Sequence, residues 1–210
     1  MTGEPITVWG RTTSSNVQKV LWLCDELAIP FHRIDAGGRF GVNDTPAYRA
    51  MNPMGLVPTV KDGDVVLWES NAILRYLADT RGGERLYPRD PVRRSVVERW
   101  LDWGLGTLNG KMHPLFWQLI RTPEAERDPA RIAALATECA RLWGILDGAL
   151  VGQVFVAGDE PTLADLSLAP WLHRWMHLPL DRPSLPNVEA WHARLSGQPG
   201  YRRWVAIPLS

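Results

Sequence analysis

The sequence is poor in cysteine, has no long apolar run and carries no net charge. Its only cysteines, Cys24 and Cys139, stand far apart without a CxxC motif, which argues against a disulfide framework and a structural zinc. The 23 basic residues balance 23 acidic ones, so the basic excess of nucleic-acid-binding domains is missing. No run reaches the roughly 20 apolar residues of a membrane span, and residues 1–5 lack the order of a signal peptide. We therefore expect a cytoplasmic protein without metal, nucleic-acid or membrane partners.

What the sequence does contain divides it into two unlike parts. Before about residue 80 short β-like runs alternate with helical stretches, whereas after residue 90 the helical period dominates. We predict an α/β domain over residues 1–80, a linker over 81–90 and an all-helical domain over 91–210. With 45% hydrophobic residues the chain can bury a large core, and its 11 tryptophans are most simply explained by packing within and between the domains.

The first forty residues have the pattern of a βαβ unit. A β-branched and aromatic run at 6–9 predicts a strand, and apolar residues at helical spacing predict a helix over 17–28. Residues 29–34 predict a second strand, placed beside the first by a right-handed crossover. A glycine-rich loop at 37–43 follows.

The pattern that follows the loop is that of a ββα unit. After at most a short helix at 45–51, Pro58 should open a strand or hold a cis bond at a turn, because proline cannot donate to a strand ladder. Asp62-Gly63 predicts a hairpin turn into a strand at 65–68. A helix over 72–80 completes the α/β part.

The second part of the chain is predicted to be helical throughout. Residues 91 to about 120 form a bent helix or two helices, and Pro129 starts another that runs to about 151. Thr162 to Asp165 have the capping-box pattern that precedes a helix, and a last helix runs to about Ser196.

Four motifs along the chain occur in the order found in one family. They are Ser14-Ser15-Asn16, the run from Asn52 to Pro58, Glu69-Ser70-Asn71-Ala72-Ile73 with Arg75-Tyr76-Leu77, and Thr162-Leu163-Ala164-Asp165. Over essentially its whole length the sequence resembles the cytosolic glutathione S-transferases, especially a bacterial branch with theta-like or nu-like active sites. The resemblance implies a thioredoxin-like N-terminal domain (βαβ–ββα), an all-α C-terminal domain, glutathione as co-substrate and a homodimer.

The start of the first helix carries hydroxyl and amide groups where redox proteins of thioredoxin-like fold carry a CxxC. A helix N-terminus favours an anion, and donors placed there can lower the pKa of a bound thiol, ordinarily ~8.5, by roughly 1 to 2 units. The resemblance aligns Ser14 with the catalytic serine of theta-like enzymes and Asn16 with the asparagine of nu-like ones. Thr13 stays a competitor, and Ser14 could instead be a plain N-cap.

The resemblance also implies a set of glutathione-binding residues. Val57, beside a cis Pro58, would pair its backbone with the cysteinyl part of the tripeptide, as an added strand does. Glu69 and Ser70, at a helix start, would bind the ammonium and the carboxylate of the γ-glutamyl end. A turn proline and ordinary helix capping would explain the same residues.

The glycine end of glutathione is assigned less directly. Arg39, Asn43 or Asp44 on the glycine-rich loop are the candidates. Leu56 departs from the family pattern, because many members have a polar residue there that contacts the peptide.

The resemblance places the second-substrate pocket on the first long helix of the helical part. The candidates are Lys111, His113, Phe116 and Trp117. A basic group there could favour an anionic or halogenated substrate, and Arg121 lies further along the same segment. A helix lysine is nevertheless commonly solvated, and the aromatic residues could be core. His173 and His177 are one helical turn apart and could share a metal, but the sequence shows no third ligand, so we predict none.

Three functions are consistent with these residues. The leading one is a glutathione transferase that activates the thiol for attack on a small electrophile, by conjugation or dehalogenation, in detoxification. The alternatives are a glutathione-dependent disulfide or peroxide reductase, in which glutathione supplies all the sulfur chemistry, and a non-catalytic protein that binds glutathione or hydrophobic ligands. In each, the homodimer interface would include Arg75, Tyr76 and Arg93-Arg94.

Overall fold

A four-stranded mixed sheet forms the first part of the chain in a computed structural model, which describes residues 4–210. Its strands are β1 (Ile6–Trp9), β2 (Phe31–Ile34), β3 (Thr59–Asp62) and β4 (Val65–Trp68), in the order β2-β1-β3-β4. β1 and β2 are parallel, whereas β3 is antiparallel to β1 and to β4. The expectation about a signal peptide rests partly on residues 1–3, which lie outside the described residues.

Three helices complete this part and give it the predicted βαβ–ββα order. They are α1 (Ser15–Glu26), α2 (Pro46–Met51) and α3 (Ser70–Thr80). α1 forms because apolar side chains recur every three or four residues along one face, and Val17 and Leu21 on that face are fully buried. Since β1 ends just before α1 begins, the N-terminus of α1 lies at one edge of the sheet. The predicted fold class is confirmed.

The second part is helical, as predicted. Its helices are α4 (Pro91–Asp102), α5 (Asn109–Phe116), α6 (Pro129–Ala149), α7 (Leu163–His177) and α8 (Pro186–Ser196). Wider π-helical turns at 103–108 and 117–121 extend the helical backbone, so the run from 91 to 121 is a pair of helices joined without a break. No helix within residues 4–210 is long and apolar enough to cross a lipid bilayer.

The two parts share one continuous apolar core. α1 packs against α7, and Trp22 of α1 lies so close to Gly200 that an added Cβ would come within 2.1 Å of its ring. Trp143, Trp175 and Trp191 are also fully buried, so many of the tryptophans serve packing. Residues 81–90 connect α3 to α4, and the domain boundary placed there stays a prediction.

The predicted capping box at the start of α7 is present and deeply buried. The Asp165 carboxylate accepts hydrogen bonds from the Val156 amide (3.1 Å), from the Thr162 amide (2.8 Å) and hydroxyl (3.0 Å), and from the Trp191 indole (2.9 Å). These donors belong to the connector before α7, to its N-cap and to α8. One carboxylate therefore fixes where α7 begins and how α8 packs on it.

Replacement of Asp165 by alanine should destabilise the protein severely. We expect the free energy of unfolding in urea to fall by roughly 3 kcal/mol or more, because several buried donors lose their only acceptor. Asp159→Ala, in the exposed connector before α7, is the matched control and should change it by less than about 0.5 kcal/mol. Equal losses in the two variants would contradict this account of the capping box.

Candidate functional site

A cavity of about 200 Å³ lies where the N-terminus of α1 faces α5 and α7. It is bounded on the sheet side by the turn before β3 and on the helical side by side chains of α5, α7 and the π-helical turn after α5. Its lining residues are Arg11, Ser14, Ser15, Asn16, Leu56, Val57, Asn109, His113, Phe116, Arg121, Trp171 and Arg174. The cavity therefore joins both parts of the chain.

Ser14 is the N-cap residue of α1, but its side chain makes no capping hydrogen bond. Its backbone is extended (φ −84°, ψ 120°), and its carbonyl accepts from the Gln18 amide at 2.9 Å, which starts the helix. The hydroxyl lines the cavity beside the first amides of α1, which have no partner within the helix. The Ser14 hydroxyl therefore does not cap the helix, and it is available as a hydrogen-bond donor to a ligand.

Asn16 links this cavity to a smaller one of about 50 Å³ at the N-terminus of α3. Its Oδ1 accepts a hydrogen bond from the Ser70 hydroxyl at 3.2 Å. The smaller cavity is lined by Asn16, Asn52, Met54, Leu56, Val57, Pro58, Trp68, Glu69 and Ser70. The fold thus brings together the predicted residues of the first helix, the proline turn and the α3 start.

The backbone around the smaller cavity has two unusual features. Glu69, just before α3, has φ 70° and ψ 110°, a region that non-glycine residues rarely adopt, at a cost of about 1–3 kcal/mol. The Val57–Pro58 peptide is cis, and neither the amide nor the carbonyl of Val57 makes a hydrogen bond inside the described part of the chain. A ligand with a peptide backbone can pair with Val57 there.

Three predicted residues lie away from this pair of cavities. Thr13 and Arg39 line a neighbouring cavity of about 550 Å³, and the Thr13 carbonyl accepts from the Arg174 guanidinium at 3.4 Å. The Asn43 side-chain amide donates to the Gly55 carbonyl at 2.6 Å and thereby holds the loop against the proline turn.

The predicted pocket residues of the helical part divide in the same way. His113 and Phe116 line the 200 Å³ cavity, whereas Lys111 and Trp117 do not. Phe116 is buried, and the other three side chains are exposed. Partial burial, together with the charges of Arg174 and Arg121, lowers the pKa of His113 below its ordinary value. His113 is therefore mostly neutral at pH 7, and it contributes an uncharged ring to the wall.

Three arginines line the cavity, and of these the sequence analysis noted only Arg121. Arg11 follows β1, Arg121 ends the π-helical turn after α5, and Arg174 belongs to α7. Arg174 is only 7% exposed, and burial, with the charges of the other two arginines, lowers its pKa to about 9. An arginine inside the otherwise apolar stretch of α7 was the signal in the sequence that could have indicated this position.

Two comparisons of the sequence and one of the fold with known proteins point to the same family. Residues 13–80 match the family model described as "Glutathione S-transferase, N-terminal domain", and residues 129–194 match its C-terminal counterpart. Glutathione S-transferase GstB of Escherichia coli K12 is 42% identical over 98% of this chain and 100% of its own length. The chain belongs to the glutathione S-transferase family.

Two further members of the family agree with this assignment. Glutathione S-transferase 3 of Zea mays is 30% identical over 98% of this transferase and 96% of its own length. The theta class enzyme of Xanthomonas axonopodis pv. citri, solved with glutathione bound, is 48% identical over 99% of this chain and 100% of its own, with a TM-score of 0.94.

The cysteines of this glutathione S-transferase take no part in the site. Cys24 and Cys139 are fully buried, and desolvation raises the pKa of each thiol to about 12. Neither lines the cavity. Any thiol that reacts there must come from a ligand, which is what the family's use of glutathione provides.

A buried lysine adds to the positive charge behind the site. Lys19, one turn into α1, is 3% exposed, and its pKa is lowered to about 8 by burial and by Arg174, although Glu69 opposes the shift. Within residues 4–210 no carboxylate lies at ion-pairing distance from it. At neutral pH the folded state therefore holds a desolvated cation next to an arginine, which is unfavourable for stability.

We expect the stability cost of Lys19 to depend on pH. Because its pKa is 10.5 in the unfolded chain and about 8 in the fold, the unfolded state binds more protons between these values, and stability rises with pH there. Lys19→Met should raise the free energy of unfolding by up to roughly 3 kcal/mol at pH 7, and most of this gain should vanish by pH 10. Urea unfolding at both pH values measures it. If the variant and wild type differed by the same free energy of unfolding at pH 7 and pH 10, the lowered pKa of Lys19 would be contradicted.

Proposed function

We propose that this enzyme binds glutathione across the two cavities, lowers the pKa of its thiol and directs the thiolate at a small electrophile, by conjugation or halide displacement. One observation carries the proposal: Ser14 lines the 200 Å³ cavity at the N-terminus of α1, and its hydroxyl makes no capping hydrogen bond to the helix. A hydroxyl donor and free helix amides stabilise a thiolate more than a thiol. The Xanthomonas relative, solved with glutathione bound, supports the choice of co-substrate.

The smaller cavity fits the γ-glutamyl end of glutathione. The first amides of α3 are donors for its α-carboxylate, together with the Ser70 hydroxyl, which would turn from Asn16 to the ligand, and Glu69 is an acceptor for its ammonium. The unpaired backbone of Val57 is available to the cysteinyl residue, which brings the sulfur towards Ser14. For the glycine carboxylate, Arg39 is the better of the loop candidates, since Asn43 already donates to Gly55.

The electrophile would occupy the part of the 200 Å³ cavity that lies next to the helical domain. His113, Phe116 and Trp171 form its wall there, while Lys111 and Trp117 would have to reach in from the exposed face of the helix. In the reaction the thiol proton passes to solvent, the sulfur forms a bond to the electrophilic carbon, and the leaving group departs with its electron pair. Two unpaired, buried cysteines agree with a reducing compartment, so a cytoplasmic role in detoxification belongs to the same proposal.

Ser14→Ala should separate thiol activation from binding. The tripeptide keeps its contacts with Val57, Glu69 and Ser70, so the Kd of glutathione should change less than threefold. The thiolate loses one charge-assisted hydrogen bond, so the bound-thiol pKa should rise by about one unit and turnover near pH 6.5 should fall roughly tenfold. Thiolate difference absorbance near 240 nm, titrated with glutathione bound, measures the pKa.

Two further variants make this test specific. Ser70→Ala should show the opposite pattern, with glutathione binding weakened by ~1–2 kcal/mol and an unchanged thiol pKa. Asn16→Ala tests the rival activating residue: a pKa rise in this variant alone would assign activation to Asn16 and favour the reductase alternative. If none of the variants moves the pKa and wild type leaves it near the solution value, the transferase mechanism is wrong.

A two-fold dimer is part of the proposal. β4 is one of the two edge strands of the sheet, and Val65 on it is 40% exposed, while Val92 at the start of α4 is 73% exposed. Arg75 is engaged with Glu98 within the chain and stiffens the α3–α4 face rather than projecting freely. Exposed apolar side chains on both parts of the chain are what a reciprocal interface would bury.

We expect light scattering at micromolar concentration to give twice the chain mass of 23.6 kDa. Val92→Asp should shift the equilibrium towards monomer, because it would place a charge in an apolar interface. Val151→Asp is the matched control, since Val151 is 67% exposed after α6 and should leave the mass unchanged. A wild-type monomer at these concentrations would refute the dimer.

A further inference from the structure

Arg174 lines the 200 Å³ cavity as a buried charge without a carboxylate partner among the described residues. Arg174 is 93% buried. Within residues 4–210 its guanidinium donates one hydrogen bond, a long one of 3.4 Å, to the Thr13 carbonyl. Its guanidinium carbon lies 4.0 Å from the ring centre of Phe116 and 4.8 Å from that of Trp171. The rings hold the guanidinium in place but leave its charge uncompensated.

Arg121 and Arg11 add two more charges to the same wall. Arg121 lies over Phe116 (5.5 Å) and Trp117 (5.0 Å) and donates to the Ser210 main-chain oxygen at 3.0 Å. Arg11 lines the same cavity, and burial, with the charge of Arg121, lowers its pKa. The arginines therefore stand close enough to repel one another.

Several arginines elsewhere in the described residues form ion pairs, and others, such as Arg131, are exposed to solvent without one. Arg75 contacts Glu98, Arg81 contacts Asp62 and Arg94 contacts Asp79. Among the described residues no aspartate or glutamate lies at ion-pairing distance from Arg11, Arg121 or Arg174. Arg174 is the buried one of the three, whereas Arg11 and Arg121 are half-buried. Because an unpaired buried charge is costly, Arg174 at the cavity wall indicates an anion as the missing partner, and the other two arginines add to the positive potential there.

The carboxylates of glutathione do not account for all three arginines. In the proposed function the γ-glutamyl carboxylate lies at Ser70 in the smaller cavity, and the glycine carboxylate lies towards Arg39 on the loop. Arg11 and Arg121 line the neighbouring 550 Å³ cavity as well, together with Arg39, so they face both sides. Arg174 does not line that cavity; it shares the wall of the 200 Å³ cavity with His113, Phe116 and Trp171, which is the side assigned to the electrophile.

We propose that the second substrate is a small electrophile that carries an anionic group, a carboxylate above all, and that Arg174 and Arg121 bind this group, with Arg11 beside them. The inference rests on the proposed function and specifies its substrate class. For a carboxylate with a leaving group on the neighbouring carbon, the glutathione sulfur forms the S–C bond, and the leaving group departs with the electron pair of its own bond to that carbon. The thiol proton has already passed to solvent. Guanidinium pairing would both orient the carbon and remove the repulsion between two anions in one cavity.

Binding of two product analogues tests the anion site without any turnover. S-Carboxymethylglutathione and S-carbamoylmethylglutathione differ only in a carboxylate against an amide, so their contacts with the glutathione subsites are the same. Calorimetry should give at least tenfold tighter binding of the carboxylate to wild type. In Arg121→Met, where the side chain is only half-buried and the fold is not at risk, the ratio of the two Kd values should fall to threefold or less.

Arg174 and a distant arginine complete the set of variants. Arg174→Met should abolish the preference, and Arg174→Lys should retain part of it, because the charge is kept but not the fork of donors. Arg131→Met removes the same charge from the exposed face of α6 and should keep the wild-type ratio, which excludes a long-range effect of net charge.

Turnover gives a second readout with iodoacetate and iodoacetamide. Each kcat/KM is divided by the uncatalysed rate constant with glutathione, since the two reagents differ in intrinsic reactivity. We expect this acceleration to favour iodoacetate at least tenfold in wild type, and the preference to be lost in Arg121→Met. The buried cysteines, with pKa values raised to about 12, will not react with either reagent in the folded protein.

Several results would overturn the inference, and they differ from a failure of the proposed function. Equal Kd values for the two analogues in wild type, with glutathione bound normally, would refute the anion site and leave thiol activation intact. A rise of the bound-thiol pKa in Arg174→Met as large as that in Ser14→Ala would assign the arginines to the thiolate instead. Loss of glutathione binding itself in Arg121→Met would assign them to the glycine carboxylate. Absence of glutathione binding in wild type would refute the proposed function.

Discussion

The positive end of α1 is the constraint on which the rest of the site depends. β1 stops at Trp9 and α1 begins at Ser15, so the free amides of the helix open at the edge of the sheet, towards α5 and α7. Because the Ser14 side chain does not cap these amides, they are available to an anion that enters the cavity. The proline turn, the start of α3 and the helical wall are all arranged around this one point.

Local sequence signals predicted most of the fold and part of the set of residues that line the proposed site. Periodicity and turn residues gave the four strands and the helices within a few residues, since both follow from neighbours along the chain. Five residues that line the two cavities were proposed from the sequence because each stands in a motif: Ser14, Asn16, Val57, Glu69 and Ser70. Whether Ser14 caps its helix is a matter of side-chain orientation, and the same serine-rich sequence is compatible with either outcome.

The arginine cluster escaped the sequence because its members come from three distant places. Arg11, Arg121 and Arg174 lie in a loop, at the end of a helical run and in the middle of α7. No spacing rule connects them, and an arginine on a helix is ordinarily read as solvated. Only the packing of α1 against α7 brings them round one cavity. Lys111 shows the reverse: its position on α5 was suggestive, yet the helix turns it to the exposed face.

Stability and chemistry pull against each other at this site. Lys19 and Arg174 are buried with no carboxylate at ion-pairing distance among residues 4–210, and Glu69 holds a strained backbone beside them. Each feature costs folding free energy, while the well-satisfied Asp165 box and the tryptophan core stabilise the surrounding helices. Uncompensated positive charge in a low-dielectric cavity acts most strongly on the groups that enter it. A thiolate and a carboxylate are such groups. The same positive charge that destabilises the protein alone would therefore stabilise its complex with these anions.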